Sequence, residues 1–269
     1  MLSKIALSYI VGFICVTHAP QILARPLFPR QATVTLQVLN NSVDTKLGCS
    51  AAQIATLQSA LTDASNIASV AARTLSGVAL SGTSPEAVTN FLGITGAQLA
   101  DQTATRITAV GTAYASSLEQ ITDLVNGNTD QTLRFYCPAA TTSAQEGNPC
   151  ESDDNAATDN LQEGKINKMA LCDLFFAGGS LASDTTTYNA DKAAGKLTSF
   201  TSPNDPGITL IHEAQHSVPL LGGDLSLVLE DIAISVAQCA ALPASDKEDN
   251  AENWALIAFL AQVDPSRFA

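Results

Sequence analysis

Apolar residues recur at helical spacing over several stretches of this chain, and at strand spacing over one. Thr33-Val34-Thr35-Leu36-Gln37-Val38-Leu39 alternates with period two and is rich in β-branched residues, which predicts a strand. Ser50-Ala51-Ala52-Gln53 then fits a capping box. Ile54, Leu57, Leu61, Ala64, Ile67, Ala71 and Leu75 follow at helical spacing, with Gly77–Pro85 read as a loop. A second helix is expected over about 101–124, with Ile107, Val110, Tyr114, Leu118, Ile121 and Leu124 on one face. Residues 138–165 are polar and acidic and predict irregular surface chain, after which Lys168–Phe176 re-enters the core. Residues 183–207 read as another loop. Three helices complete the pattern: one opening near Pro206-Gly207, one over about 225–241, and one over about 249–263 stopped by Pro265. The expected fold class is mainly α, an α+β domain with a small β element.

The N-terminal segment predicts an exported chain. Lys4 followed by the short apolar run Ile5–Val16, and Ile22-Leu23-Ala24, fit a secretory signal over residues 1–24. Residues 25–48 read as a short leader, in which Arg30 is a possible processing point, and residues 49–269 as one domain. No later stretch is apolar enough for a membrane anchor. Asn40-Asn41-Ser42 is a glycosylation sequon. The formal net charge is −13, and the expected signal removes only Lys4 from it. Such a surface disfavours nucleic acid and anionic membranes and favours cationic polypeptides. The expected partners are polypeptides, and the expected state is a secreted, extracellular monomer. Cys15 leaves with the signal. Cys49, Cys137, Cys150, Cys172 and Cys239 remain, enough for two disulfides and one free thiol. Cys239 is the expected odd one, in register with Ile232 and Val236 on an apolar helix face.

The candidate chemistry lies in His212-Glu213-Ala214-Gln215-His216, an H-E-x-x-H run that holds both histidines outside the signal, where His18 lies. Ile208, Leu210 and Ile211 place it on a buried helix. Two imidazoles one turn apart can bind one Zn2+ ion, and the glutamate beside the first can take a proton from the reacting water. A third ligand is needed, and no further histidine is available. Asp224 is the nearest downstream acid and follows a Gly222-Gly223 turn; Glu230 and Asp231 compete with it, and a helix-capping role is the other reading of Asp224.

These stretches together resemble the deuterolysin-like secreted fungal metallopeptidases, the aspzincins, which include peptidyl-Lys endopeptidases. The resemblance rests on Gly48-Cys49-Ser50, Tyr136-Cys137, Cys150, Leu171-Cys172-Asp173, the zinc helix Leu210–His216, and Asn250-Ala251-Glu252-Asn253-Trp254-Ala255-Leu256, spanning about 49–263. It implies a zincin-like catalytic domain and disulfides Cys49–Cys137 and Cys150–Cys172. It implies zinc on His212, His216 and Asp224, with Glu213 as catalytic base. The family's aspartate motif is matched only by Gly222-Gly223-Asp224-Leu225-Ser226-Leu227, and Leu227 stands where the family has a tyrosine that steadies the oxyanion. Glu252 matches the acid that favours a basic residue after the scissile bond, while Ala255 replaces the second acid of the strictly lysine-specific members. The implied activity is zinc endopeptidase; the alternative is a catalytically impaired homologue that binds zinc or a protein partner.

Overall fold

A computed structural model describes residues 33–269. The expected signal, with Lys4, Cys15 and His18, lies outside the described residues, as does Arg30. In chain order the elements are β1 (Thr35–Leu39), α1 (Ala51–Ser81), α2 (Glu86–Phe91), α3 (Gly96–Thr103), α4 (Ala109–Tyr114), β2 (Leu118–Ile121), β3 (Thr132–Tyr136), β4 (Ala156–Leu161), β5 (Ile166–Leu171), α5 (Asp173–Phe176), α6 (Leu181–Ala193), α7 (Pro206–Ala214), α8 (Val236–Ala241), α9 (Ala244–Lys247) and α10 (Ala251–Val263).

The strands form one five-stranded sheet in the order β2-β1-β3-β5-β4. All neighbours are parallel except β4, which lies antiparallel at the edge beside β5. The sheet corrects several expectations. β1 lies between β2 and β3 with Leu36 and Val38 fully buried, so the segment read as a leader over 25–48 supplies a strand of the domain, which starts before residue 49. β4 arises within the polar stretch 138–165; an edge strand needs few apolar residues, so its composition hides it. The β content thus exceeds the small element expected.

The helices differ in similar ways. α1 begins at the predicted Ser50–Gln53 capping box but runs through Gly77 to Ser81, ending at Gly82 in the left-handed conformation. The helix expected over 101–124 contains a π-helical stretch at Ala104–Thr108 and stops at Tyr114, before β2. α6 occupies the segment read as loop 183–207. Its polar, threonine-rich sequence hides it, but Ser180 caps it through the amide of Ser183. α10 is buried from Ala255 to Ala261 without interruption, so it carries no polar stripe and forms the centre of the helical layer. Its Phe259 packs against Tyr188 and Phe200, and Phe200 in turn meets Tyr188 and Phe91, edge to face or tilted.

Two disulfides, Cys49–Cys137 and Cys150–Cys172, join the pairs that the resemblance implied, and Cys239 is free and buried. Among the described residues no helix is long and apolar enough to cross a membrane.

Candidate metal centre

α7 is held at both ends. Asp205 caps its start, accepting from the amides of Gly207 (2.8 Å) and Ile208 (3.3 Å), and Pro206 occupies the first turn. Gly207 lets α7 approach α1 closely: a side chain there would lie 3.0 Å from the Ala64 amide nitrogen. Tyr114 on α4 donates its buried hydroxyl to the Leu210 carbonyl at 2.7 Å. At the other end, Asn160 on β4 donates to the His216 carbonyl and accepts from the Val218 amide (3.1 Å). His216 itself lies just past the regular helix, in a tightened turn whose amide bonds to the Glu213 carbonyl at 3.1 Å.

This framing brings the two imidazoles together. His212 Nε2 and His216 Nε2 are 3.3 Å apart. Asp231 Oδ1 is 3.2 Å from each of them. The three atoms make a nearly equilateral triangle. Ligand atoms about 2.0–2.1 Å from a tetrahedral zinc are separated by about 3.3–3.4 Å, so this donor set fits that ion. The far nitrogens are already committed: His212 Nδ1 faces Glu252 Oε2 at 2.9 Å, and His216 Nδ1 faces the Leu229 carbonyl at 2.8 Å. A proton on each Nδ1 leaves both Nε2 lone pairs free for a metal.

The electrostatics are those of an anionic socket. Burial works against protonation of His212, but hydrogen bonds to Asp231 and Glu252, with the charges of Glu252 and Glu213, outweigh it and raise its pKa well above the ordinary value. His216 is also raised, against burial, chiefly by Asp231. Burial pushes Asp231 up, yet the two imidazoles overcome it and hold this carboxyl far below its usual range. The same negative surroundings would favour a divalent cation.

Asp231 takes the position expected for Asp224. The residues Gly222 and Gly223 both adopt positive φ, as the turn reading required, but they do not fold the next acid back. Asp224 instead caps a short 3-10 helix, Leu225–Leu227, accepting from the Ser226 amide (2.9 Å) and hydroxyl (2.6 Å). The chain then returns as irregular backbone, with the Leu229 amide bonded to the Gln215 carbonyl at 2.9 Å. Asp231 was obscured because Ile232, Val236 and Cys239 suggest one continuous helix. A signal against that helix was present: Ser235 and Gln238 form a capping box, so α8 starts only at Val236 and frees the residues before it. Glu230 pairs through its backbone with Asn250 and is not part of the triangle.

Glu252 also stands elsewhere in the chemistry than expected. One of its oxygens is engaged by His212 Nδ1, and the residue also lines the adjoining cavity, so it both orients an imidazole and adds negative charge to the groove wall. Glu213 is buried; its Oε2 accepts from the Thr158 hydroxyl of β4 at 2.7 Å. A cavity of about 260 Å³ lies on one side of Glu213, bounded by Asp153, Asp154, Pro203, His212, Asp231 and Glu252. A second, of about 330 Å³, lies toward Thr158, Asn160 and His216. Asp154, Ala156, Glu213 and Asp231 border both, so the triangle sits midway along a groove between the edge strand and α7.

Neither a protein-family model nor a curated protein matches the chain. Among solved structures it is similar to a zinc peptidase from Grifola frondosa, with 17% identity and a TM-score of 0.40, over 76% of this chain and 94% of that one.

Proposed function

We propose that this chain is a zinc-dependent endopeptidase that acts outside the cell. The observation that carries the reading is the triangle of His212, His216 and Asp231, with the carboxylate of Glu213 beside it in an open groove. His212, His216 and Asp231 would hold the ion. When bound, zinc supplies Lewis acidity, polarising the scissile carbonyl and acidifying water. Glu213 accepts the proton of the attacking water and delivers it to the leaving amine. Thr158 fixes the Glu213 carboxylate by hydrogen bonding, and Glu252 and the Leu229 carbonyl fix the imidazole rings. The two disulfides and the signal-like N-terminal sequence support an exported protein.

The substrate side of the reading follows from charge. Asp153, Asp154 and Glu252 border one side of the groove, which favours a cationic side chain next to the scissile bond. We infer a preference for lysine or arginine after that bond, without strict lysine specificity.

A second reading has its own support. Among the described residues that line the groove there is no tyrosine, lysine or arginine to receive a developing oxyanion. A protein that holds zinc without hydrolysing peptides would have this lining. Incubating the purified protein with casein, with and without a chelator and beside the Glu213→Gln variant, separates the two. Chelator-sensitive cleavage that the variant lacks supports the peptidase; intact casein with zinc retained supports the binding protein.

A further inference from the structure

We propose that Asn250 is a positioning residue for the metal site, which it serves by holding the loop that carries Asp231. This rests on the reading of His212, His216 and Asp231 as metal ligands. Asn250 occupies the N-cap position of α10, where an asparagine side chain ordinarily accepts from its own helix's first amides. Here it makes no such bond. Its Oδ1 accepts instead from the amides of Ile232 (2.8 Å) and Ala233 (3.0 Å), the two residues directly after Asp231. Its Nδ2 donates to the Ala233 carbonyl at 2.9 Å and to Asn253 Oδ1 at 2.6 Å, and lies 3.5 Å from Cys239 Sγ. The backbone adds a second clamp on the other side of Asp231: the Glu230 amide donates to the Asp249 carbonyl (3.3 Å), and the Ala251 amide to the Glu230 carbonyl (3.1 Å).

The loop needs such a clamp. It is irregular chain between the 3-10 turn at Leu225–Leu227 and α8, anchored in the core only by Leu229 and Ala233, while Ile232 and Ile234, on either side of Ala233, are 45% and 66% exposed. Asp231 is itself 47% exposed on its side chain, so packing does not fix it. Asn250 is fully buried and tied to Asn253, which donates to the Phe91 carbonyl. Asp231 is therefore referenced to the core helix through Asn250, while Glu252, two residues on, references His212 to the same turn. One turn of chain sets the spacing between two of the three ligands.

Zinc affinity is the test, measured on the full mature chain by competition with a chromophoric chelator, with Co2+ absorption as a report on ligand geometry. Asn250→Ser keeps a capping residue and both backbone bonds to Glu230, but is too short to hold both loop amides. It should weaken zinc binding about 10–100-fold and change the Co2+ spectrum, as should Asn250→Ala. In the Asp231→Asn background the same change should have little further effect, because Asn250 acts through Asp231. Tyr188→Phe, which removes a buried hydroxyl bond to Asp264 away from the groove, should lower thermal stability and leave zinc affinity unchanged. Unchanged affinity in Asn250→Ser, additive losses with Asp231→Asn, or an equal loss in Tyr188→Phe would each overturn the proposal while leaving the metal site standing. A wild-type chain that binds neither zinc nor Co2+ would overturn the metal reading, and this one with it.

Discussion

The Thr158 hydroxyl donates to Glu213 Oε2 at 2.7 Å, joining the edge strand to the carboxylate beside the histidine pair. One oxygen of Glu213 is thereby fixed, which aims the other along the groove. A bond of this kind to a carboxylate contributes about 1.5–3 kcal/mol when its partner is buried. Thr158→Val is expected to lower kcat for peptide cleavage about 10-fold, with little change in KM and with zinc content unchanged. A kinetic comparison of the two purified proteins checks this.

Glu213→Gln should retain one zinc per chain by elemental analysis and lose at least about 100-fold in peptidase rate. The amide cannot accept the proton of the attacking water, whereas the ligand triangle does not include Glu213. Wild-type turnover in that variant would remove Glu213 from the role of base.

The two aspartates should separate cleanly. Asp231→Asn is expected to weaken zinc binding by more than about 100-fold, beyond the 10–100-fold typical for groups that only orient ligands. Asp224→Asn should leave affinity within about twofold of wild type, since the Asp224 side chain is engaged by Ser226 and not by the histidines. The reverse ranking in a competition titration would return the ligand to the glycine turn.

Asp191 predicts a pH dependence of stability. Its carboxylate accepts from the Thr201 amide (2.7 Å) and hydroxyl (2.8 Å) and from Lys196 (2.9 Å), and these hold its pKa down at about 2. An unfolded chain protonates this group near pH 4. The stabilisation is therefore complete above about pH 5 and disappears as pH falls through about 2. Asp191→Asn should melt below wild type at pH 7, and the two curves should converge in acid. Thr201 adjoins Ser202 and Pro203 in the groove wall, so the same variant should raise KM.

The Cys49–Cys137 bridge spans 88 residues and ties the chain after β1 to the end of β3. Replacing both cysteines by serine is expected to cost about 2–5 kcal/mol of unfolding free energy, read from denaturant midpoints.

Sequence periodicity located what burial controls. The α1 stripe and the helix of the H-E-x-x-H run follow from apolar spacing and from caps or first-turn residues that the structure retains, and the last helix is present up to the expected stop at Pro265. It missed what burial does not control. β4 is an edge strand of mostly polar residues, and α6 is a helix whose only fully buried apolar side chain is Tyr188. At the site, both histidines and Glu213 were legible because their chemistry is set by local spacing. Asp231 was legible only as a competitor of Asp224, because the loop that carries it is held by bonds from Ile232 and Ala233 to Asn250 that leave no periodic trace.

α10 is encased on all sides, and its first turn touches both His212 and the Asp231 loop. Zinc retention is thereby a gauge of where that one turn sits. A displacement of the turn would carry the imidazole and the aspartate with it, so the ion would report the seating of the start of α10 against α7.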